Sequence, residues 1–403
     1  MAVVGAGAAG LATAIFIRRL HPHTSVIVLD GARAPGAKIL VSGGGRCNVT
    51  NTSVTDADFW GGRRTIIRRV LRGFPVDQTV AFFREIGVPL HEEPGGKLFP
   101  DSNRARDVLN ALIAEASRVG VKIVSGARVE NVSTGDTFRV VTRDFSVISR
   151  RVVLATGGRS LPKSGSDGAG FEIARRLGHT IVPTTPALVP LLLDAGQDTM
   201  HKELTGVAHE AELTLWLGDA VSARLSGSLL WTHFGISGPL TLNMSRHYIR
   251  QPGARITLNF LPGETFEGLE QWWTASARER PAVSVATQLS TRVPASVAEA
   301  LLRRVAVDGS TTLAHFARDD RRKLTHALVT WRLAVTGDRG YNYAEATAGG
   351  VTLDEIDPTT MGSRVCPGLW LVGEILDVDG RIGGFNFQWA WSSARVAAAA
   401  LGA

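Results

Sequence analysis

Apolar residues open the chain as the short run "AVV", pass through a glycine turn, and then recur at helical spacing in "AAGLATAIFIRRL". This pattern predicts strand, turn and helix in immediate succession. A second apolar run, "SVIVLD" (25–30), predicts a buried parallel strand. The segment "RARDVLNALIAEASRVG" (104–120) has the period of an amphipathic helix. It leads into strand patterns at "VKIVSGARVENV" (121–132), "FRVVTRD" and "SVISRRVVLAT". From about Pro186 the pattern changes to short alternating runs, "ALVPLLLD", "EAELTLWLG" and "ARITLNFLP", separated by glycine and proline turns, which predict a small β-barrel or sandwich. Residues 264–328 turn helical again, and "GLWLVGEILDVDGRIGGFNFQWAWSSARVAAAA" (368–400) reads as a last buried strand, a turn and a closing helix.

The opening turn carries chemistry as well as shape. Gly5, Gly7 and Gly10 stand in the spacing G-x-G-x-x-G, with Ala8 and Ala9 between the last two. Gly5 permits the tight turn, Gly7 lets backbone approach a pyrophosphate, and Gly10 allows the helix to pack on the strand. The helix N-terminus then offers unpaired N–H groups to the anion. Asp30 ends the next strand twenty residues after Gly10, where a carboxylate can accept hydrogen bonds from ribose hydroxyls. An ordinary glycine cap would explain the turn but not the acid at that distance. A dinucleotide site follows, and because the strand near 368–400 completes the same fold, the middle of the chain must be an insertion.

Composition narrows the class. The 403 residues suffice for two or three domains. With only Cys47 and Cys366, a disulfide framework and a cysteine metal centre are both excluded; no metal is expected, and the expected location is cytoplasmic. No apolar stretch is long enough to span a bilayer, so no membrane partner is expected. The net charge of +7 raises nucleic acid, yet the densest basic segment, "RRTIIRRVLRG" (63–73), has no interleaved aromatic platform and reads as a solvated helix face. A small-molecule substrate is therefore expected, and no nucleic acid. "SGSDGAGFEIARRLGH" (164–179) has its glycines in the wrong order for a second dinucleotide loop and no acid after it.

The identity of the dinucleotide rests on resemblance. After Asp30, Gly36 and Lys38 recur at the spacing of glutathione-reductase-type flavoproteins, which favours FAD over NAD. "RRVVLATGG" (150–158), ending in Ala155, Thr156 and Gly157, is similar to the second fingerprint of such proteins. Gly373 and Glu374 stand where an acid reaches the ribityl chain. Gly383 and Gly384 precede the helix begun by Phe385, Asn386 and Phe387, whose N-terminus would face the pyrimidine edge of the flavin. In such folds the strand near Val129 passes beside the adenine.

The whole chain resembles the BaiN/RdsA-type NAD(P)/FAD-dependent oxidoreductases, a family that also includes aminoacetone oxidase. The likeness is carried by "VSGGGRCNVTN" (41–51), "GGKLFPDSNRARDVLNAL" (95–112), "THFGISGPLTLNMS" (232–245), "EATAGGVTLDEIDPTTMGSRVCPGLWLVGEILDVDG" (345–380) and "GGFNFQWAWSS" (383–393). The only departures are a short first strand and Asp30 in place of the usual glutamate. The resemblance implies an α/β fold: a split Rossmann-type FAD-binding domain (1–185 and 335–403), an inserted β-barrel (186–263 and 329–334) and a small helical subdomain (264–328).

It also implies that Ser42, Gly43, Gly44 and Gly45 form a backbone collar beside the flavin, with Arg46 and Asn48 as side-chain donors. Cys47 is then either a redox thiol or a packing contact. His233 and Ser237 are candidate proton donors, as are Tyr341 and Tyr343 more weakly. The implied reaction is NAD(P)H-dependent reduction of a conjugated C=C bond. An amine oxidase that returns electrons to oxygen is one alternative, favoured by the lack of a dedicated NAD(P)H domain. A tRNA- or RNA-associated or redox-sensing flavoprotein is the other.

Overall fold

The computed structural model describes every residue except 195, 197, 198, 402 and 403. The chain folds into two compact units, Met1–Ala187 with Tyr341–Ala403, and Leu188–Gly340.

The first unit is built on a five-stranded parallel sheet. Its order is Leu369–Leu371, Val152–Leu154, Ala2–Val4, Ile27–Leu29 and Lys122–Val124, so the N-terminal strand lies at the centre. Those central residues are wholly apolar because both faces are covered. The helix Ala8–Leu20 packs on the C-terminal helix Phe385–Ala400, which buries Trp389 and Trp391 almost completely. A three-stranded antiparallel sheet (Val129–Ser133, Phe138–Thr142 and Ser146–Ser149) is inserted before the strand that ends at Leu154. Ile181–Ala187 pairs antiparallel with Ala346–Val351 and so ties the two chain segments of this unit together.

The second unit is one seven-stranded antiparallel sheet with helices on it. The strand order runs Trp331–Leu333, Arg255–Asn259, Ala208–Leu217, Ala220–Thr232, Gly235–Ser237, Leu191–Leu193, Val335–Asp338. The two edge strands are consecutive in sequence, with only Ala334 between them, so the sheet closes on itself and neither edge is left as a free template. The helices Phe266–Glu279, Ala295–Arg304 and Arg318–Val329 share one hydrophobic core with the sheet. In it Leu269, Trp273, Leu301 and Leu328 join Leu213, Leu258 and Phe260. Among the described residues no helix is long and apolar enough to cross a membrane.

Candidate functional site

At the end of the central strand the chain turns through Gly5, whose φ of +103° is closed to other residues and whose added Cβ would lie 2.5 Å from the Ala155 carbonyl oxygen. Gly10 is held as tightly, since a Cβ there would meet the Gly5 oxygen at 1.9 Å. Gly7 differs: nothing lies within 4 Å of an added Cβ, so its missing side chain leaves open space at the helix start. Ala8 opens the helix with no side chain capping it, and Ala9 follows, buried. Asp30 buttresses this turn. One carboxylate oxygen accepts from Ala6 N–H at 2.5 Å and the other from Ala32 N–H at 2.8 Å. Each oxygen keeps a lone pair for a further donor. Beyond Asp30 the backbone of Ala127 donates to its carbonyl, which brings the strand carrying buried Val129 alongside.

A second cluster joins four distant segments. Gly36, at φ +73°, donates from its N–H to Ala6 O and starts the short helix that carries Lys38. Lys38 Nζ bonds Glu374 Oε2 at 2.5 Å and Ser160 Oγ at 2.7 Å. Glu374 Oε1 accepts from Thr347 N–H at 2.8 Å and from Ser160 Oγ at 2.9 Å. Two residues expected separately as cofactor contacts therefore hold each other. Gly373 puts Glu374 there, with its N–H on Ser393 Oγ and its carbonyl on Trp389 Nε1. Nearby, Ala155 donates to Val4 O, and Gly157 sits at φ +72°. The buried hydroxyls of Thr156 and Ser166 lack partners, and an added Cβ at Gly157 would fall 2.8 Å from Ser166 Oγ.

The three glycines after Ser42 form a tight turn with successive φ values of +56°, +68° and +85°. Gly44 faces open space, whereas a Cβ on Gly43 would touch Phe99 and the Asn48 N–H at 3.0 Å. The polar residues that follow are already engaged. Arg46 forks onto Glu93 at 2.5 and 3.3 Å and lies over the Phe99 ring. With its amide oriented to satisfy its neighbours, Asn48 donates to Leu98 O and Thr50 O and accepts from Gly384 N–H. Cys47 is fully buried at φ +64° and is hydrogen-bonded to Ser42. Burial pushes its thiol up to about 12, so it has no thiolate character at neutral pH.

The C-terminal helix is locked to the same region. Gly384 packs against Thr50, where a Cβ would sit 2.4 Å from the carbonyl oxygen, and Asn51 Nδ2 donates to Gly383 O. The Asn386 side chain clamps Gly380 through both its N–H and its carbonyl. Phe385 is buried and Phe387 stacks on Trp391.

His233 and Ser237 belong to the second unit. His233 is exposed beside Phe234, and Ser237 occupies the cap position of the helix Gly238–Ile249 without capping it. Neither side chain has a hydrogen-bond partner among the described residues. Tyr341 bonds Thr184 through its hydroxyl, and Tyr343 is about half exposed. Ser160, Ser166 and Thr347 were not apparent from the sequence. They lie in segments whose only local signal is a glycine neighbour.

One arrangement mimics a hydrolytic triad. His179 is buried, with Nδ1 2.8 Å from Glu355 and Nε2 2.8 Å from Ser363 Oγ. That serine oxygen already accepts from the N–H groups of Val365 and Cys366. With both lone pairs occupied it has none to offer an electrophile, so the set is a clip for the loop, not a nucleophile.

Comparison with known proteins covers the full length. The family description "HI0933-like protein Rossmann domain" matches residues 1–400. A ribosomal RNA dihydrouridine synthase of Escherichia coli is 32% identical over 97% of this chain and 95% of its own. A 3-dehydro-bile acid delta(4,6)-reductase of Clostridium scindens is 31% identical over 98% of this chain and 97% of its own. Among solved structures, a quinol-fumarate reductase with menaquinol covers 99% of this chain and 70% of its own at 14% identity and a TM-score of 0.51, a likeness of fold alone.

Proposed function

The chain belongs to the HI0933-like Rossmann family, and from that premise we propose that this FAD-dependent oxidoreductase uses NAD(P)H to reduce a C=C bond conjugated to a carbonyl. The observation that carries this is the pair of full-length relatives. A dihydrouridine synthase and a delta(4,6)-reductase have unlike substrates, but each name describes adding two hydrogens across a C=C bond. When bound, FAD supplies the hydride chemistry.

The chain's own residues fit that cofactor. Gly7 leaves space for a pyrophosphate at an uncapped helix start. Asp30 retains acceptor capacity for ribose hydroxyls. The orphaned hydroxyls of Thr156 and Ser166 are suited to polar ligand atoms. The glycine turn at 43–45 presents backbone with no side chain in the way at Gly44, and the N-terminus of the helix Phe385–Ala400 carries the positive end of its dipole. Cys47 serves packing in this reading.

The substrate has two readings. A small enone is the simpler one. A uracil ring carried on RNA is favoured by the net charge of +7 and by the exposed Arg64, Arg68, Arg69 and Arg72 on the helix Arg64–Gly73. In the second unit, an open cavity of about 730 Å³ lined by Arg255, Trp331 and Arg332 adds basic surface. The test is to incubate the FAD-loaded protein and NAD(P)H with unmodified ribosomal RNA or with a conjugated steroid ketone. Mass spectrometry then looks for a gain of two hydrogens. Gain in neither, with peroxide released from an amine instead, would replace the reductase reading with the oxidase one.

A further inference from the structure

Resting on the reductase reading, we propose that Glu345 is the catalytic acid that delivers the proton to the substrate. Reducing a conjugated C=C bond adds a hydride equivalent at the β-carbon and a proton at the α-carbon, so the site must hold a proton source. Of the acids around the cofactor residues, Asp30 is held by two backbone N–H groups, and Glu374 by Lys38, Ser160 and the Thr347 N–H. Glu93 is tied to Arg46. Glu345 has no hydrogen bond or ion pair to its carboxyl among the described residues, although it immediately precedes the buried strand Ala346–Val351.

Its backbone is fixed by that strand and by Ser160, whose hydroxyl lies 3.4 Å from the Glu345 carbonyl and also bonds Lys38 and Glu374. The free carboxyl is thus one shared serine away from the Lys38–Glu374 pair. Solvent reaches the side chain, yet enough protein surrounds it that desolvation raises its pKa above the ordinary glutamate value. Lys38 and Lys97 are the charged groups whose fields reach it, and they oppose that rise without cancelling it. A carboxyl that is open to substrate, unpartnered and inclined to keep its proton is equipped as a general acid.

In the step, the Glu345 O–H bond breaks as the α-carbon–hydrogen bond forms. The nicotinamide is the two-electron reductant, and the carboxylate left behind regains a proton from water.

The experiment is an anaerobic double-mixing measurement on wild type, E345Q and E345D. Reduction of the bound flavin by NAD(P)H should be the same in all three. Reoxidation by a conjugated carbonyl substrate should slow by about 10²–10⁴-fold in E345Q, with part of the rate restored in E345D. Reoxidation by ferricyanide, which needs no proton, should be unchanged. Independently of turnover, the infrared difference between wild type and E345Q near neutral pH should contain the carbonyl stretch of a protonated carboxyl. If wild type reduces conjugated carbonyls and E345Q keeps pace, the assignment of Glu345 fails alone. If the infrared band is missing, it fails too. If no conjugated carbonyl reoxidises wild type, the reductase reading falls first and takes this one with it.

Discussion

Gly7 and Gly10 lie three residues apart in one turn, and the structure assigns them separable duties. In Gly10→Ala the new methyl would stand 1.9 Å from the Gly5 oxygen and 3.3 Å from Ala155 Cβ. Contacts below 3.0 Å are not tolerated, so helix and turn must part by at least about 1.1 Å, the difference between 3.0 and 1.9 Å. The obstacle is backbone and cannot rotate aside. Overpacking of this kind costs about 1–3 kcal/mol, offset in part by the ~1 kcal/mol helix preference of alanine. Gly7→Ala meets no atom, and its φ of −79° suits alanine. Its effect on the cofactor-free protein should stay within about 0.5 kcal/mol, the scale of an exchange at a helix cap. The same methyl fills the space left for the pyrophosphate, so the FAD dissociation constant should rise at least ~10-fold, equivalent to about 1.4 kcal/mol. Thermal unfolding of the FAD-free proteins and fluorescence titration with FAD measure the two effects. The reasoning is refuted if Gly7→Ala destabilises the free protein as much as Gly10→Ala does, or if it binds FAD like wild type.

Cys47→Ser should retain FAD and turnover within about twofold, and native Cys47 should resist alkylation near pH ~8 because burial keeps it a thiol. Rapid labelling of the folded protein at that position would show the burial to be wrong. Lys38→Met and Glu374→Gln should each cost about 1–3 kcal/mol, below the loss from a fully buried pair since both side chains retain some exposure. The double variant should lose less than the two costs combined, as a double-mutant cycle in denaturant would record. His247 is held down to about 4 from its ordinary 6.5 by burial and by Arg246. Its contribution is therefore present above pH 6.5 and is lost as pH falls toward 4. The second unit should weaken by about 2–3 kcal/mol across that window, less in His247→Gln, read from urea midpoints against pH.

The cofactor turn was legible because its signal is local: three glycines, a helical period and one acid at a fixed distance. The split fold was legible for a related reason, since buried parallel strands read as apolar runs wherever they fall in the chain. Pairing across long separations was not. Lys38 and Glu374 are 336 residues apart, and nothing in either neighbourhood says that they neutralise each other through Ser160. Arg46 reads as a ligand donor in "GGGRCN", yet the strand pairing that places Glu93 beside it claims its guanidinium. Glu345 escaped notice because its distinguishing feature is the lack of a partner, which only the fold reveals. Likewise the alternating strands indicated a barrel or a sandwich, and the choice was settled by Ala334 alone standing between the two edges of the sheet.

The central claim is that electrons pass from a nicotinamide to a conjugated C=C bond at this FAD site. It is tested most directly by mixing the FAD-loaded protein anaerobically with NADPH or NADH, then with ribosomal RNA or a conjugated ketone, while following flavin absorbance. The account predicts bleaching on the first addition and recovery of colour on the second without oxygen. Absorbance that neither nicotinamide bleaches, but that an amine does, would contradict it.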